Sequence, residues 1–289
     1  MTGARVARAR IAVVLLIGAV VVATSAGIAG GALTLKKKRA QITLTVGNFG
    51  TATAKCKQGT KAVAGGFDGP GRAGGFDDGN YVMPFGSERE SKREWSTFGV
   101  QYFDGGGDLV TYAYCSDDFP KLKAVRDTTT IVAGDTGSAT VSCPPGGEAV
   151  SGGFTTDYRG DGANIYTHTS RRQGRREWLV EGFNLLGNAT KLTAIAYCAK
   201  DRLGLKQKSA TANADSGEVA SATAKCKRKQ RAVSGGFEGT WFDQPGETTE
   251  IAESRRKGKR GWEASTSAFT TSPPVPWEAF VYCIDKKEL

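Results

Sequence analysis

The stretch TVSCPPGGEAVSGGF, residues 140–154, has two close copies elsewhere in the chain, and these copies predict how the protein is organised. It aligns without a gap with TAKCKQGTKAVAGGF at 53–67 and with TAKCKRKQRAVSGGF at 223–237. Self-similarity at a period of about 85 residues is the signature of internal repeats. The sequence therefore predicts three copies of one unit: repeat one at 33–120, repeat two at 121–203 and repeat three at 204–289.

Each repeat is predicted to consist of β-strands. Its closing segment, LTAIAYC at 192–198 in repeat two, is rich in β-branched and aromatic residues, which favour strands. The paired glycines, such as Gly152 and Gly153, indicate a bulge or a place where another backbone passes closely. Beyond the N-terminal apolar segment, no stretch keeps a helical period. The predicted fold class is therefore all-β.

The first 32 residues are typical of an export signal or a membrane anchor. Three arginines precede an apolar run at 11–22, and small residues that would allow cleavage after Ala26 or Ala29 follow. The alternative is a retained N-terminal apolar helix, because 11–35 carries no charge before Lys36 and is long enough to span a bilayer. Both alternatives place the repeats outside the cytoplasm, secreted or anchored.

Six cysteines occur as two per repeat and predict disulfides. Pairing within each repeat is the economical arrangement: Cys56–Cys115, Cys143–Cys198 and Cys226–Cys283. The alternative links neighbouring repeats through Cys115–Cys143, Cys198–Cys226 and Cys283–Cys56. Either arrangement requires an oxidising compartment. A zinc site is disfavoured because the chain has no CxxC motif and a single histidine, so we predict neither a metal nor another cofactor.

The cysteine and glycine pattern resembles that of the vitelline-membrane outer-layer protein family. Repeat two carries it most fully, with Cys143 and Gly146 in a Cys-x-x-Gly motif, then Gly153-Phe154, then AIAYC ending at Cys198. The resemblance implies a β-prism of three Greek-key sheets around a pseudo-threefold axis and a non-enzymatic role in contact with extracellular matrix or glycans. Repeat three has Lys229 in place of the glycine, and the repeats are longer than in that family. Three small disulfide-closed sandwiches are therefore the alternative arrangement.

A basic segment in each repeat is predicted to form a β-hairpin. SRRQGRREW at 170–178 and SRRKGKRGW at 254–262 run from a serine to a tryptophan eight residues later, with Gly174 and Gly258 at the tips. SERESKREW at 87–95 is the third copy. Before the tryptophan, these segments carry three bases and three acids in repeat one, four bases and one acid in repeat two, and five bases and no acid in repeat three.

The cations of the second and third hairpins are the candidate anion-binding residues, because arginine forks suit phosphate, sulfate and carboxylate groups. The alternative is a surface that merely tolerates lysine and arginine. Trp95, Trp178 and Trp262 recur in every repeat and are predicted to be core residues. Trp241 and Trp277 occur only in repeat three and are candidates for stacking on a sugar ring. The anion-binding candidates are Arg171, Arg172, Arg175, Arg176, Arg255, Arg256, Lys257, Lys259 and Arg260.

The formal charge of +10 favours anionic partners. The predicted function is a non-catalytic extracellular or cell-surface module that binds anionic polysaccharide, an envelope polymer or lipid head groups; no nucleic acid is expected. No catalytic residue is predicted: a Ser-His-Asp site would have to use His168, which is interpreted as a surface strand residue. The alternatives are an inert secreted scaffold and a carbohydrate-active enzyme that uses the loop carboxylates Asp77, Asp78, Asp104 and Asp108.

Overall fold

The computed structural model of the chain describes residues 33–69, 82–101, 105–157, 165–185, 187–215, 217–239, 248–269 and 274–286. All the regular structure in these ranges is β-strand, which confirms the all-β prediction. The expected N-terminal apolar helix at 1–32 lies outside the described residues. Within the described ranges, no helix has the length and apolar character needed to cross a bilayer.

Six strands fall within each repeat. Repeat one contains β1 (Lys36–Thr45), β2 (Phe49–Lys55), β3 (Lys61–Asp68), β4 (Val82–Glu88), β5 (Glu94–Gln101) and β6 (Gly106–Ser116). Repeat two contains β7 (Leu122–Ile131), β8 (Thr136–Ser142), β9 (Glu148–Thr156), β10 (Ile165–Gln173), β11 (Glu177–Asn184) and β12 (Thr190–Ala199). Repeat three contains β13 (Lys206–Ala214), β14 (Val219–Lys225), β15 (Gln230–Glu238), β16 (Thr248–Lys257), β17 (Gly261–Phe269) and β18 (Val275–Asp285).

The strands form three six-stranded sheets, and each sheet is shared by two repeats. The strand orders are β1-β6-β3-β16-β17-β14, β13-β18-β15-β10-β11-β8 and β2-β5-β4-β9-β12-β7. Repeats one and two meet where β4 pairs with β9, repeats two and three where β10 pairs with β15, and repeats three and one where β16 pairs with β3. We call these places junctions 1–2, 2–3 and 3–1. Because no repeat completes a sheet by itself, the alternative of three separate sandwiches is wrong.

The paired glycines allow the repeats to approach each other this closely. A Cβ atom on Gly153 would lie 2.2 Å from the carbonyl oxygen of Ser87 in the neighbouring repeat, and Gly66 and Gly236 are equally crowded by Ser254 and Ser170. The preceding glycine of each pair faces a tryptophan ring: a Cβ on Gly152 would lie 2.1 Å from Trp178. The predicted close passage of a second backbone is confirmed, because only a residue without a side chain fits at either place.

The apolar core extends through all three repeats. Phe67, Phe154 and Phe237, which follow the paired glycines, meet edge to face with centroid separations of 6.2, 6.2 and 6.3 Å. Edge-to-face geometry suits the charge distribution of aromatic rings, and each ring belongs to a different repeat. The three phenylalanine rings therefore pack together in one core to which all three repeats contribute.

Each disulfide joins the residue after the second strand of a repeat to the sixth strand of the same repeat. Cys56–Cys115, Cys143–Cys198 and Cys226–Cys283 have S–S distances of 2.02, 1.98 and 2.07 Å. Pairing within repeats is therefore confirmed, and the alternative of pairing between neighbouring repeats is wrong. Three buried disulfides indicate an oxidising environment, either extracellular or lumenal.

Candidate anion-binding face

The serine that begins each basic segment and the tryptophan that ends it form a buried hydrogen bond across the two strands of the hairpin. Trp178 donates its indole N–H to Ser170 Oγ at 3.0 Å, with both side chains buried. The same bond joins Trp95 to Ser87 and Trp262 to Ser254, at 2.9 and 3.0 Å. The eight-residue spacing therefore reflects a structural contact. It confirms that the three recurring tryptophans are core residues, and it places Gly174 and Gly258 at turns with φ of 66° and 65°.

The second arginine after Ser170 binds the next repeat. Arg172 donates its backbone N–H to Tyr282 Oη at 2.6 Å and its guanidinium to Leu205 O at 3.0 Å, and both partners belong to repeat three. The matching contacts are Arg89 N to Tyr197 Oη at 2.6 Å, Arg89 Nη2 to Leu122 O at 3.1 Å, Arg256 N to Tyr114 Oη at 2.7 Å and Arg256 Nη1 to Leu35 O at 3.2 Å. These arginines therefore connect repeats at all three junctions, so Arg172 and Arg256 have a structural role.

The first arginine of each of the two basic hairpins is already paired with carboxylates. Arg171 forms an ion pair with Glu238 at 3.0 Å. Arg255 forms ion pairs with Glu253 and Glu263, and Asp68 lies 3.6 Å away. Burial alone would lower the pKa of the Arg255 guanidinium, but the neighbouring carboxylates outweigh burial and raise that pKa. These partners leave little net charge for an external anion.

The hairpin tips differ in how many charges they leave free for solvent. Arg176 donates two hydrogen bonds to Cys143 O, at 3.0 and 2.6 Å, whereas Arg175 is exposed. In repeat three, Lys257 is paired with Glu263, and Lys259 and Arg260 are exposed. The nine candidates therefore do not form one uniform patch, and the exposed ones are concentrated in repeat three.

A second basic segment, which the sequence analysis did not single out, lies beside the tip of the third hairpin. Cys226 N donates to Arg260 O at 2.8 Å and Ala232 N donates to Lys259 O at 3.1 Å. These bonds hold the turn between β14 and β15 against the hairpin tip. The signal for it in the sequence is CKRKQR at 226–231, which replaces CPPGGE at 143–148. We define the basic face by its exposed cations: Lys225, Lys227, Arg228, Lys229, Lys259 and Arg260.

Of the residues considered for catalysis, the structure describes His168, Ser170 and Asp108. His168 is 4% exposed, and burial lowers its pKa to about 4, so it is a neutral interior residue and not the surface histidine expected from the sequence. Ser170 is occupied by the Trp178 indole. Asp108 accepts hydrogen bonds from Gln41 and Thr43 on the adjacent strand. Asp77, Asp78 and Asp104 lie outside the described residues.

Of the two tryptophans predicted to stack on a sugar ring, the structure describes Trp277 only. Trp277 is fully buried, stacks on Phe237 at 5.7 Å with an interplanar angle of 16°, and donates to Ala264 O at 3.4 Å. A sugar cannot stack on it, because both ring faces are inside the core; this corrects the expectation for Trp277. Trp241 lies outside the described residues. Among the residues that the structure describes, no cluster of three or more histidine, cysteine or acidic side chains could hold a metal ion.

No protein-family model matches the chain, and a search of curated protein sequences finds no match either.

Proposed function

We propose that the protein is a non-catalytic binding module of the cell exterior that contacts anionic polymers through the basic face of repeat three. The observation that carries the proposal is the juxtaposition of two basic turns, held together by the backbone bonds from Cys226 to Arg260 and from Ala232 to Lys259. Six exposed cations on one surface attract a polyanion because their potentials add there.

The contrast with the other repeats supports this assignment. The turn that corresponds to 226–231 carries two lysines in repeat one and, in repeat two, two prolines and one glutamate. Both of those turns share the backbone bond from the cysteine N–H to the hairpin tip, through Arg93 and Arg176. The scaffold is therefore common to the three repeats, whereas the concentration of positive charge belongs to repeat three.

The partner we favour is an anionic polysaccharide or envelope polymer, with lipid head groups as a further source of the same charge. The disulfides favour an exterior setting. Export or anchoring by the apolar segment within 11–35 belongs to the proposal, with Leu33 and Leu35 themselves packed in the folded repeats. A β-prism arrangement of the three sheets and a relationship to the vitelline-membrane outer-layer family belong to it as well. Three sheets shared cyclically by three repeats are consistent with a prism.

The proposal is tested by charge reversal in the turn beside the hairpin. The variant Lys227→Glu/Arg228→Glu/Lys229→Glu should elute from a polygalacturonate column at much lower salt than the unmodified protein, because ionic contacts weaken as salt screens them. A matched control, Lys121→Glu/Lys123→Glu/Lys191→Glu, makes the same change in net charge at exposed positions of repeat two. The control should keep most of its retention.

Equal elution of the two variants would show that retention follows net charge alone and would overturn the proposal. Sedimentation with vesicles of phosphatidylglycerol, performed on the same variants, separates the two sources of charge. Binding to vesicles without retention on the polysaccharide column would assign the face to lipid head groups.

A further inference from the structure

A pocket of about 290 Å³ lies at junction 3–1 and is rich in positive charge. Its lining includes residues 33–35 together with Lys37, Arg231, Arg256 and Lys259. Among the described residues that line it, none is acidic. Four cations gathered around a small cavity repel each other unless an anion lies between them.

The equivalent pocket at junction 2–3 already contains a carboxylate. Glu148, which is 1% exposed, accepts hydrogen bonds from Arg172 Nη1 at 3.0 Å and from three successive backbone amides. Those bonds are Leu203 N at 2.6 Å, Gly204 N at 2.9 Å and Leu205 N at 3.0 Å. A row of amides with an arginine beside it is a built site for one carboxylate group.

The two pockets correspond residue by residue. Arg256 matches Arg172, because each donates its backbone N–H to the tyrosine that precedes the closing cysteine of the next repeat. Arg231 of repeat three occupies the position of Glu148 in repeat two, and an alanine follows each of them. Lys259 matches Arg175, since the carbonyl of each accepts a hydrogen bond from the backbone N–H of that alanine. The wall at 203–205 corresponds to the wall at 33–35, whose Leu35 carbonyl receives Arg256 as Leu205 receives Arg172.

Exchange of Glu148 for Arg231 therefore removes the internal carboxylate and adds a cation. Burial lowers the pKa of the Arg256 guanidinium, and the charge of Arg231 lowers it further, against the opposing effect of Tyr114. The guanidinium of Arg256 donates only to the carbonyl oxygens of Leu35 and Lys259 in the hydrogen bonds that the structure shows. The place that a carboxylate occupies at junction 2–3 is thus surrounded by positive charge at junction 3–1.

Junction 1–2 lacks this arrangement for a chemical reason. Pro120 occupies the position of Leu203, and proline has no N–H to donate. Lys61, which occupies the position of Glu148, donates to Phe119 O at 3.3 Å. The row of three amides therefore does not recur there, and a lysine stands in place of the carboxylate.

We propose that the pocket at junction 3–1 binds the carboxylate group of an external molecule in the position that Glu148 fills at junction 2–3. The ligand class is an acidic sugar or another small carboxylate. The site shares Lys259 with the basic face, but it is a separate pocket and does not depend on polymer binding by the turn at 227–229.

The test measures the thermal unfolding midpoint of the full chain in sodium glucuronate, with sodium chloride of equal ionic strength and neutral glucose as references. The midpoint should rise saturably in glucuronate and stay flat in both references, because a ligand that binds only the folded state stabilises it. Arg231→Glu supplies an internal carboxylate, so this variant should have a higher midpoint without ligand and should not respond to glucuronate. Lys191→Glu makes the same charge change at an exposed site in the sheet that has no strand of repeat three, and it should respond like the unmodified protein.

Two further variants keep the proposal falsifiable if Arg231→Glu does not fold. Arg231→Gln should weaken glucuronate binding about tenfold. Glu148→Gly removes the carboxylate from the pocket at junction 2–3 and should lower the unfolding midpoint of the protein. Acetate should raise the midpoint of this variant again, which would show that the amide row accepts a free carboxylate. The Lys227→Glu/Arg228→Glu/Lys229→Glu variant should keep its glucuronate response even if it loses polymer retention.

Three results would overturn the proposal. The unmodified protein could show no saturable response to glucuronate, whether or not acetate rescues Glu148→Gly. Arg231→Glu could respond as the unmodified protein does. Sodium sulfate could stabilise the protein saturably where glucuronate does not, in which case the pocket would be a site for tetrahedral oxyanions and the carboxylate assignment would fail.

Discussion

Junctions 2–3 and 3–1 are joined by the same hydrogen bonds between repeats but differ in the charge that lies beside the buried arginine. At both, an arginine donates its N–H to a tyrosine hydroxyl and its guanidinium to a leucine carbonyl of the next repeat. At junction 2–3 the buried charge of Arg172 is balanced by Glu148, whereas at junction 3–1 Arg256 faces Arg231. The comparison teaches that the contacts which assemble the repeats are independent of the charges placed around them. One side chain therefore decides whether the pocket holds a carboxylate paired with an arginine or is lined by cations without an acidic residue.

The largest expected effect concerns the backbone contact that the two junctions share. A Cβ at Gly236 would lie 2.4 Å from Ser170 O, and one at Gly66 would lie 2.5 Å from Ser254 O. Gly236→Ala and Gly66→Ala should each lower the free energy of unfolding by about 4 kcal/mol or more, because backbone has to move. Urea unfolding under non-reducing conditions measures this loss.

The control for these glycines is Gly106→Ala, whose Cβ would meet its nearest neighbour at 3.5 Å. We expect a change below about 1 kcal/mol there. If Gly236→Ala lowered stability and Gly66→Ala did not, the two junctions would not share one scaffold.

The next effect is a difference in stability between the two arginine variants, because the two junctions carry different charges beside the arginine. Arg172→Ala leaves the buried Glu148 without its counter-charge and should cost about 3 kcal/mol of unfolding free energy. Arg256→Ala removes hydrogen bonds to two carbonyls and relieves repulsion with Arg231, so we expect a loss of about 1 kcal/mol. Urea unfolding of the two variants compares them directly.

A double variant checks the cause of that difference. Arg172→Ala/Glu148→Ala should lose less stability than the sum of its two single variants, since the pair is removed together. Equal losses for Arg172→Ala and Arg256→Ala would contradict the electrostatic contrast between the junctions.

The last expected effect, which appears only as the pH is lowered, exchanges a residue of one junction for its counterpart in the other. His168 and Ala252 lie at the corresponding bulge of β10 and β16. Burial lowers the pKa of His168 to about 4, below its ordinary value of 6.5, so protons bind the unfolded chain first as pH falls. The His168 contribution is therefore complete above about pH 6.5 and is lost as pH falls towards 4.

The unmodified protein should lose about 2 kcal/mol more stability than His168→Ala between pH 7 and pH 4.5. Urea unfolding at the two pH values, performed on both proteins, isolates this term from other titrating groups. Parallel pH dependence of the two proteins would show that His168 is not desolvated in the folded state.

Several features were predictable because their causes are local in the sequence. The strand character and the hairpin tips at Gly174 and Gly258 follow from residue type and spacing, and cysteine pairing within repeats was the more economical of two arrangements; the structure confirms all three. The core role of Trp95, Trp178 and Trp262 was predictable for the same reason, since a large aromatic residue at one place in every repeat is typical of packing.

The candidate site was less predictable because it depends on contacts between repeats. Arg172 and Arg175 differ by three positions in one basic segment, yet one is buried against Tyr282 and the other is exposed. Nothing in the composition of that segment distinguishes them. The partner of Arg172 lies 110 residues away in the chain, and only the pairing of β10 with β15 brings it near.

The sequence alone determined an all-β chain of three repeats, each with two cysteines and the third with a positive bias, because periodicity and strand preference are properties of short segments. Only the tertiary structure decided which cations remain available. Strand pairing between repeats places the second residue after each serine, Arg89, Arg172 or Arg256, against the next repeat, where it is buried or half-buried, whereas the turn at 227–229 is placed against the tip at 259–260. The physical reason is that the free charge of a side chain depends on its neighbours in space, and here those neighbours come from another repeat.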